Sequence, residues 1–136
     1  MGDIFKIREF GYLQKGMDML SVRQTAIASN IANSETPGYK SAQVSFEDKL
    51  ASAMGKGFAM AETNPRHMPL KNKGVYGVTP DIATVKEGAR LDGNTVDVDR
   101  ELTSLSATQF AYDTLGVATN KKIGSLINVL DSKSGR

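Results

Sequence analysis

The 136-residue chain has no cysteine. Disulfide bridges, thiolate metal sites and cysteine nucleophiles are therefore excluded, while the redox compartment stays open because a chain without thiols tolerates either state. Its single histidine, His67, sits in "NPRHMP", where a lone imidazole in a proline-rich loop reads as a turn residue and not as a general base. No Ser-His-acid set, paired-carboxylate pocket, phosphate loop or metal-ligand spacing accompanies it. Neither charge dominates: 17 basic against 15 acidic residues leave +2, with no run of Lys or Arg, so nucleic acid is not the expected partner. Long apolar runs are also missing. None reaches the roughly 18 residues that span a bilayer, and the opening "MGDIFKIREFGYLQKG" interrupts its apolar residues with charge, unlike the h-region of about 7–15 apolar residues in a secretory signal. The expectation is a chain that is not membrane-spanning, carries no Sec signal, and has no catalytic residues, cofactor, metal or small-molecule substrate.

What is present is helical spacing at both ends. Leu13, Met17, Leu20, Gln24, Ile27 and Ile31 alternate at four and three residues, which keeps one seam on one helix face, and Lys15, Asp18, Ser21, Arg23 and Thr25 form a side that can stay hydrated. The same spacing returns at Leu102, Leu105, Gln109, Tyr112, Gly116, Thr119, Ile123, Leu126 and Leu130. Asp97 can cap this second helix, and Asp99 and Glu101 bring negative charge to its first turn, where free N–H groups and the helix dipole favour anions. Gly116 and Gly124 weaken it by about 1 kcal/mol each relative to Ala, so a partner surface is expected to approach closely there. Phe110 and Val117 point away from the seam, and two bulky groups left in water imply a cover from another molecule or from the middle segment. The fold expected is mainly α: an elongated, coiled-coil-like pair of long helices, residues 1–36 and 97–132, forming one helical domain, with 37–96 an irregular middle.

Within that middle, "SFEDKLASAMG" suits a short helix capped by Ser45, with Asp48 at the box position and Phe46, Leu50 and Ala53 on one face. The β-like runs "VYGV" and "IATV" make a small β-hairpin the expected remainder. Two stretches stand out. In "ASNIANSETPGYK", residues 28–40, Ser29 and its small neighbours allow close helix approach, and Asn30 and Asn33 either cap the helix C-terminus or bond to neighbouring elements and fix register. Thr36-Pro37-Gly38-Tyr39 then has the chemistry of a type II turn, with Tyr39 an anchor beyond it. In "LDGNTVDVDRE", residues 91–101, Asp92, Gly93 and Asn94 form a turn directly before the capping Asp97. A calcium loop is the sharper reading of these acids; it fails because an EF-hand places its Gly after the third ligand, and Gly93 follows the first acid.

"ASNIANSETPGYK" resembles the N-terminal signature of the bacterial flagellar rod and hook family, and "LDGNTVDVDRE" together with "NPRHM" resembles the proximal rod members of that family. The resemblance runs from about Leu13 into the C-terminal helix. It implies a structural subunit of the flagellar basal-body proximal rod, without enzyme activity, exported by the flagellar type III system without a cleaved signal and assembled in the periplasmic space. The partners implied are copies of the chain itself, other rod proteins, and the MS-ring, rod adaptor and export-gate proteins. The residues expected to carry assembly are Leu13, Met17, Leu20, Ile27, Ser29, Asn30, Ile31, Asn33, the turn Thr36 to Tyr39 (with Pro37 and Gly38), Asp92, Gly93, Asn94, Asp97, Asp99, Phe110, Tyr112, Val117, Ile123, Leu126 and Leu130. A sibling rod subunit or a soluble helical adaptor or secretion chaperone shares the seams, and a chaperone would form a closed dimer on size exclusion.

Seams of mixed quality (Gln109, Gly116, Thr119) make long helices marginal in isolation. A monomer in dilute solution is expected to show weak helical circular dichroism and ready proteolysis of both ends; a fully protected monomer would contradict this.

Overall fold

The computed structural model of the protein describes residues 2–55, 74–86 and 90–134. Helix α1 (Gly2–Ala32) leads into strand β1 (Ala42–Ser45) and helix α2 (Glu47–Gly55); a 3-10 turn (Gly74–Gly77), strand β2 (Asp81–Thr84) and helix α3 (Val98–Ser134) follow. His67 and "NPRHM" lie outside the described residues.

The two long helices run antiparallel. Asn30 meets Glu101, Gln24 bonds Gln109 at 2.7 Å, and Thr119 points at the Met17 sulfur at 3.8 Å, while Lys122 pairs with Glu9. At 1.5 Å per residue α3 is about 55 Å long, so the pair is elongated, as its spacing predicts. On α1 the expected seam holds, with Leu20 and Ile27 buried and Leu13, Met17, Gln24 and Ile31 half-buried.

On α3 half of the expected seam is displaced. Leu105, Tyr112, Thr119 and Leu126 lie on the covered side, but Leu102, Gln109, Ile123 and Leu130 are exposed. The covered positions include Glu101, Thr108 and Lys122, one residue before Leu102, Gln109 and Ile123, and Leu115, one before Gly116; Thr108 is buried. These positions escape an apolar count because three of them are polar and satisfied in place. Glu101 accepts from Asn30, Thr108 Oγ1 donates to the Ser104 carbonyl at 2.7 Å, and Lys122 meets Glu9. An added Cβ at Gly116 or Gly124 would meet no neighbouring element among the described residues; the close approaches fall on α1 instead, where one at Gly16 would meet Leu115 and one at Gly11 would meet the Tyr76 ring.

The core is off-centre. Met19, Leu20, Val44 and Phe46 are buried together, flanked by Val22, Ala26, Leu50, Ala111, Tyr112 and Leu115, so α1 is packed between α3 on one side and the β1–α2 unit on the other. Arg23, expected on the hydrated side, is drawn into this second contact. Its Nε donates to the Val44 carbonyl at 3.1 Å, its Nη2 meets Glu47 Oε1 at 2.6 Å, and its guanidinium lies 4.6 Å from the centre of the Phe46 ring. A planar cation over a ring, with both faces of the fork occupied, is an arrangement only Arg provides.

Two local expectations change. Ser45 is not the cap of α2: it pairs with Asp81 in the sheet, and the cap falls on Phe46, whose N–H donates to its neighbour Glu47 at 3.0 Å and whose carbonyl accepts from Leu50. The antiparallel sheet exists, but "VYGV" is not one of its strands. β2 pairs with β1, in register from Ala42 opposite Thr84 to Ser45 opposite Asp81. "GVYG" closes instead as a 3-10 turn, with the Val78 N–H on the Val75 carbonyl at 3.2 Å. That geometry stacks i over i+3, so Val75 and Val78 are both buried while Tyr76 between them stays largely exposed. Spacing alone could not separate these outcomes in so short a run.

Partial burial of the Glu47 carboxylate opposes its charge, but the Phe46 N–H, Arg23 and the backbone N–H of Glu47 itself outweigh this and hold it below its ordinary value of about 4.5. A carboxyl whose folded pKa is depressed contributes stability that is complete above its unfolded pKa and is lost as pH falls through the folded one. In thermal melts with an osmolyte favouring the folded chain, Glu47→Gln is therefore expected to lower stability at neutral pH and to converge with the parent chain in acid. Arg23→Ala, which breaks the carbonyl bond as well, is expected to cost about 1–3 kcal/mol.

Candidate functional site

Residues 28–40 and 91–101, which stood out separately in the sequence, fold onto each other at one end of the helical pair. The first is a helix end followed by a turn. α1 stops at Ala32; the Asn33 side chain donates to the Ser29 carbonyl at 2.8 Å and accepts from Thr36 Oγ1 at 3.3 Å, so Asn33 takes the capping role. Tyr39 N–H then donates to the Thr36 carbonyl at 3.2 Å, and Gly38 has φ +74°. This is the type II turn that Thr36-Pro37-Gly38-Tyr39 predicts, with glycine at the position needing positive φ.

The second segment is a three-residue loop. Arg90 N–H donates to the Asn94 carbonyl and Gly93 N–H to the Arg90 carbonyl, both at 2.8 Å, with Gly93 at φ +80°; this is a turn closed by a glycine bulge. Its acids have structural occupations. Asp92 Oδ1 accepts from the Asn94 N–H at 3.0 Å, and Asp97 Oδ1 accepts from the Arg100 N–H at 3.2 Å while its carbonyl takes the Glu101 N–H, which makes Asp97 the cap of α3. Asp99 is exposed in the first turn.

The turns meet backbone to backbone. Gly38 N–H donates to the Asp92 carbonyl at 2.9 Å and Thr95 N–H to the Tyr39 carbonyl at 3.1 Å. Lys40 Nζ reaches the Gly93 carbonyl at 2.6 Å, and Ser41, itself buried, donates its N–H to Thr95 Oγ1 at 2.9 Å. The Gly38 Cα lies only 3.6 Å from where a Gly93 Cβ would be.

Two asparagines, both with no exposed surface, lock this junction. The Asn30 amide NH2 donates to the Ala42 carbonyl at 2.9 Å and to Glu101 Oε1 at 3.1 Å; its oxygen accepts from the Ala42 N–H at 2.9 Å and from the Tyr39 hydroxyl at 3.3 Å. One side chain thus joins α1, the start of β1, the type II turn and α3, with its amide capacity filled. Of the two readings the sequence left open, Asn30 follows the register-fixing one. Asn94 does the complementary work. Its NH2 donates to the carbonyls of Asn33, Ser34 and Thr36 at 2.9–3.0 Å, and its oxygen accepts from the Val96 N–H at 2.8 Å. Carbonyls released at the end of α1 are thereby satisfied from a residue some sixty positions away.

Tyr39 is half-buried and holds Ser29 as well as Asn30 by its hydroxyl, which makes it the anchor expected; Thr36 and Pro37 stay exposed. The seam residues Leu13, Met17, Leu20, Tyr112 and Leu126 lie along the helical pair, away from the junction, Ile27 and Ile31 run into it, and Phe110 and Val117 lie on the outer side of α3 at 76% and 56% exposure. Met19, Arg23, Lys40, Ser41 and Thr95 are not among the expected residues, although Lys40 and Thr95 lie within the two motifs and Ser41 directly after the first.

A structural protein emerges from this geometry: two long terminal helices clamped at one end by a bonded junction, with apolar side chains left outside. Residues 13–40, which include the first motif, match the family described as "Flagella basal body rod protein". Over 131 residues, 89% of this chain and 91% of the relative, the chain is 31% identical to the flagellar basal body rod protein FlgB of Escherichia coli (strain K12). It is 32% identical over 124 residues to that of Aeromonas hydrophila (90% and 92% covered) and 30% identical over 128 residues to that of Yersinia ruckeri (88% and 90%). The chain belongs to the FlgB family of flagellar basal body rod proteins. It is a structural subunit of the flagellar rod, assembled with other rod components, and the family is not a catalytic one. The helical adaptor is not favoured. Among the described residues no helix is long and apolar enough to cross a membrane.

Asn94→Ala leaves carbonyls at the end of α1 without a donor in a dry junction and is expected to cost about 1–3 kcal/mol. Asn94→Asp turns a carboxylate on the same carbonyls and should cost more. Amide exchange is the measurement: protection should fall at residues 31–41 and 94–101 while the middle of α1 keeps its own, and uniform loss along the chain would contradict a local lock.

Proposed function

We propose that this rod subunit polymerises through its helical pair into the wall of the hollow proximal rod, the shaft that transmits torque and conducts exported subunits. Residues 1–36 and 97–132 form the domain that packs between neighbours, and 37–96 is carried at its side. The observation that carries the reading is the outer side of α3. Phe110 and Val117 fall almost opposite the covered side, with Leu102 and Ile127 beside them at 48% and 50% exposure. Gly124 falls on the same side, where an added Cβ would meet no neighbouring element among the described residues, room for another backbone to come close. A helical pair with one finished face and one unfinished face is a part made to be covered.

Assembly places the chain in the periplasmic part of the basal body. The flagellar type III system is the export route in this reading, and helices held by few buried side chains suit passage in an unfolded state. Copies of the chain, other rod proteins, and the MS-ring, rod adaptor and export-gate proteins are the neighbours in this reading. The seam residues keep the pair together, and the junction residues Asn30, Asn33, Gly38, Gly93 and Asn94 fix the angle at which the middle segment leaves it.

The test is the double variant Phe110→Asp and Val117→Asp in cells whose motility depends on this chain. The isolated subunit is expected to keep the exchange pattern of the parent, since neither side chain is packed, while motility and rod assembly are lost. Motile cells with intact rods would overturn the proposal.

A further inference from the structure

The stripe on α3 has a counterpart on the same molecule. Between α1 and α3, on the side not covered by β1 and α2, lies a half-open groove of about 420 Å³ lined by Phe10, Gln14, Met17, Asp18, Tyr112 and Thr119. Two rings and a thioether give it an adaptable apolar floor, because an unbranched Met moulds to what it meets. Phe10 to Asp18 spans two turns of α1, about 12 Å, and Phe110 to Val117 spans about 10.5 Å of α3. The protruding stripe and the groove are thus of matching length.

We infer that a second copy of this chain fills the groove with its Phe110–Val117 stripe, in a head-to-tail contact that uses a different face on each partner. This rests on the reading of the stripe as an assembly surface and adds what the stripe meets. The choice of occupant comes from charge. The groove carries one acid, Asp18, and the stripe continues one turn past Val117 into Lys121; among the described residues neither takes part in an ion pair within its own chain. If Val117 is seated at the level of Met17, Lys121 lies about 5–8 Å along the axis from Asp18 whichever way the incoming helix runs, within reach of a lysine side chain. Apolar knob, apolar groove and one opposite-charge pair then come from a single sequence. A contact between two different faces does not close on itself, and repetition produces a helical array.

Because the chain has no cysteine, the contact can be read directly. Two full-length variants, Gln14→Cys and Val117→Cys, are made separately and together in cells that depend on this chain for motility, and basal bodies are mildly oxidised. The expected result is a shift from monomer to dimer on a non-reducing gel when both variants are present, with neither alone giving it, since each alone offers a cysteine on only one of the two faces. The inference is overturned if motile cells incorporate both variants and no dimer forms, or if either variant alone crosslinks as well as the mixture. The two readings fail differently. If Phe110→Asp with Val117→Asp still builds rods, the stripe is not an assembly surface; if that variant blocks assembly and the mixed crosslink is absent, the stripe meets a different rod protein and only the groove pairing falls.

Discussion

The amides of Asn30 and Asn94 govern how the two ends of this chain are held. Antiparallel helices with a thin apolar seam can slide or rotate at little expense, because one half-turn of mixed side chains resembles the next. A buried amide does not allow that freedom. Each hydrogen bond adds only about 1 kcal/mol net, yet an unmet buried donor or acceptor costs about 1–3 kcal/mol, so any register that separates Asn30 from Ala42 and Glu101 is penalised several times over. Gln24 and Gln109 add an exposed amide bond between the helices farther along at 2.7 Å. The polar contacts choose the register, and the few apolar ones then fill it.

From this lock the rest of the architecture follows. With Asn30 holding the start of β1, the chain must run back along α1, which lays Val44 and Phe46 over Met19 and Leu20 and brings Arg23 under the Phe46 ring. With Asn94 closing the end of α1, the loop of Gly93 is pressed against Gly38 and α3 starts at a fixed place and angle. The buried core therefore gathers near the junction and around the middle of α1. The outer side of α3 takes no part in it, and Phe110 is left 76% exposed. A molecule closed on one side and open on the other is poorly suited to life as a soluble monomer and well suited to a polymer, whose neighbours complete the open side.

Much of the helical frame was legible in the sequence because it depends on neighbours three and four residues away. The α1 seam, the Asp97 cap, the type II turn with glycine at positive φ and the outward placing of Phe110 and Val117 all follow from local rules. For Asn30 and Asn33 the sequence leaves capping and register-fixing both open, and the structure divides them, one to the long-range lock and one to the cap. Helical spacing puts Arg23 on the hydrated side because nothing local distinguishes it from Lys15 or Asp18, and only the arrival of Val44, Phe46 and Glu47 draws it out of water.

The sequence by itself determined the helices, their ends and the turns, since hydrophobic period, capping and φ preference act within a few residues. Tertiary structure alone decided which side of α3 is covered, which strand β2 pairs with, and that the two marked stretches are halves of one junction. Asn94 is buried and Leu102 is not because carbonyls some sixty positions away accommodate one, while the other faces water. Burial of a polar residue depends on where its hydrogen-bond partners lie, and those distances are set by the folded chain.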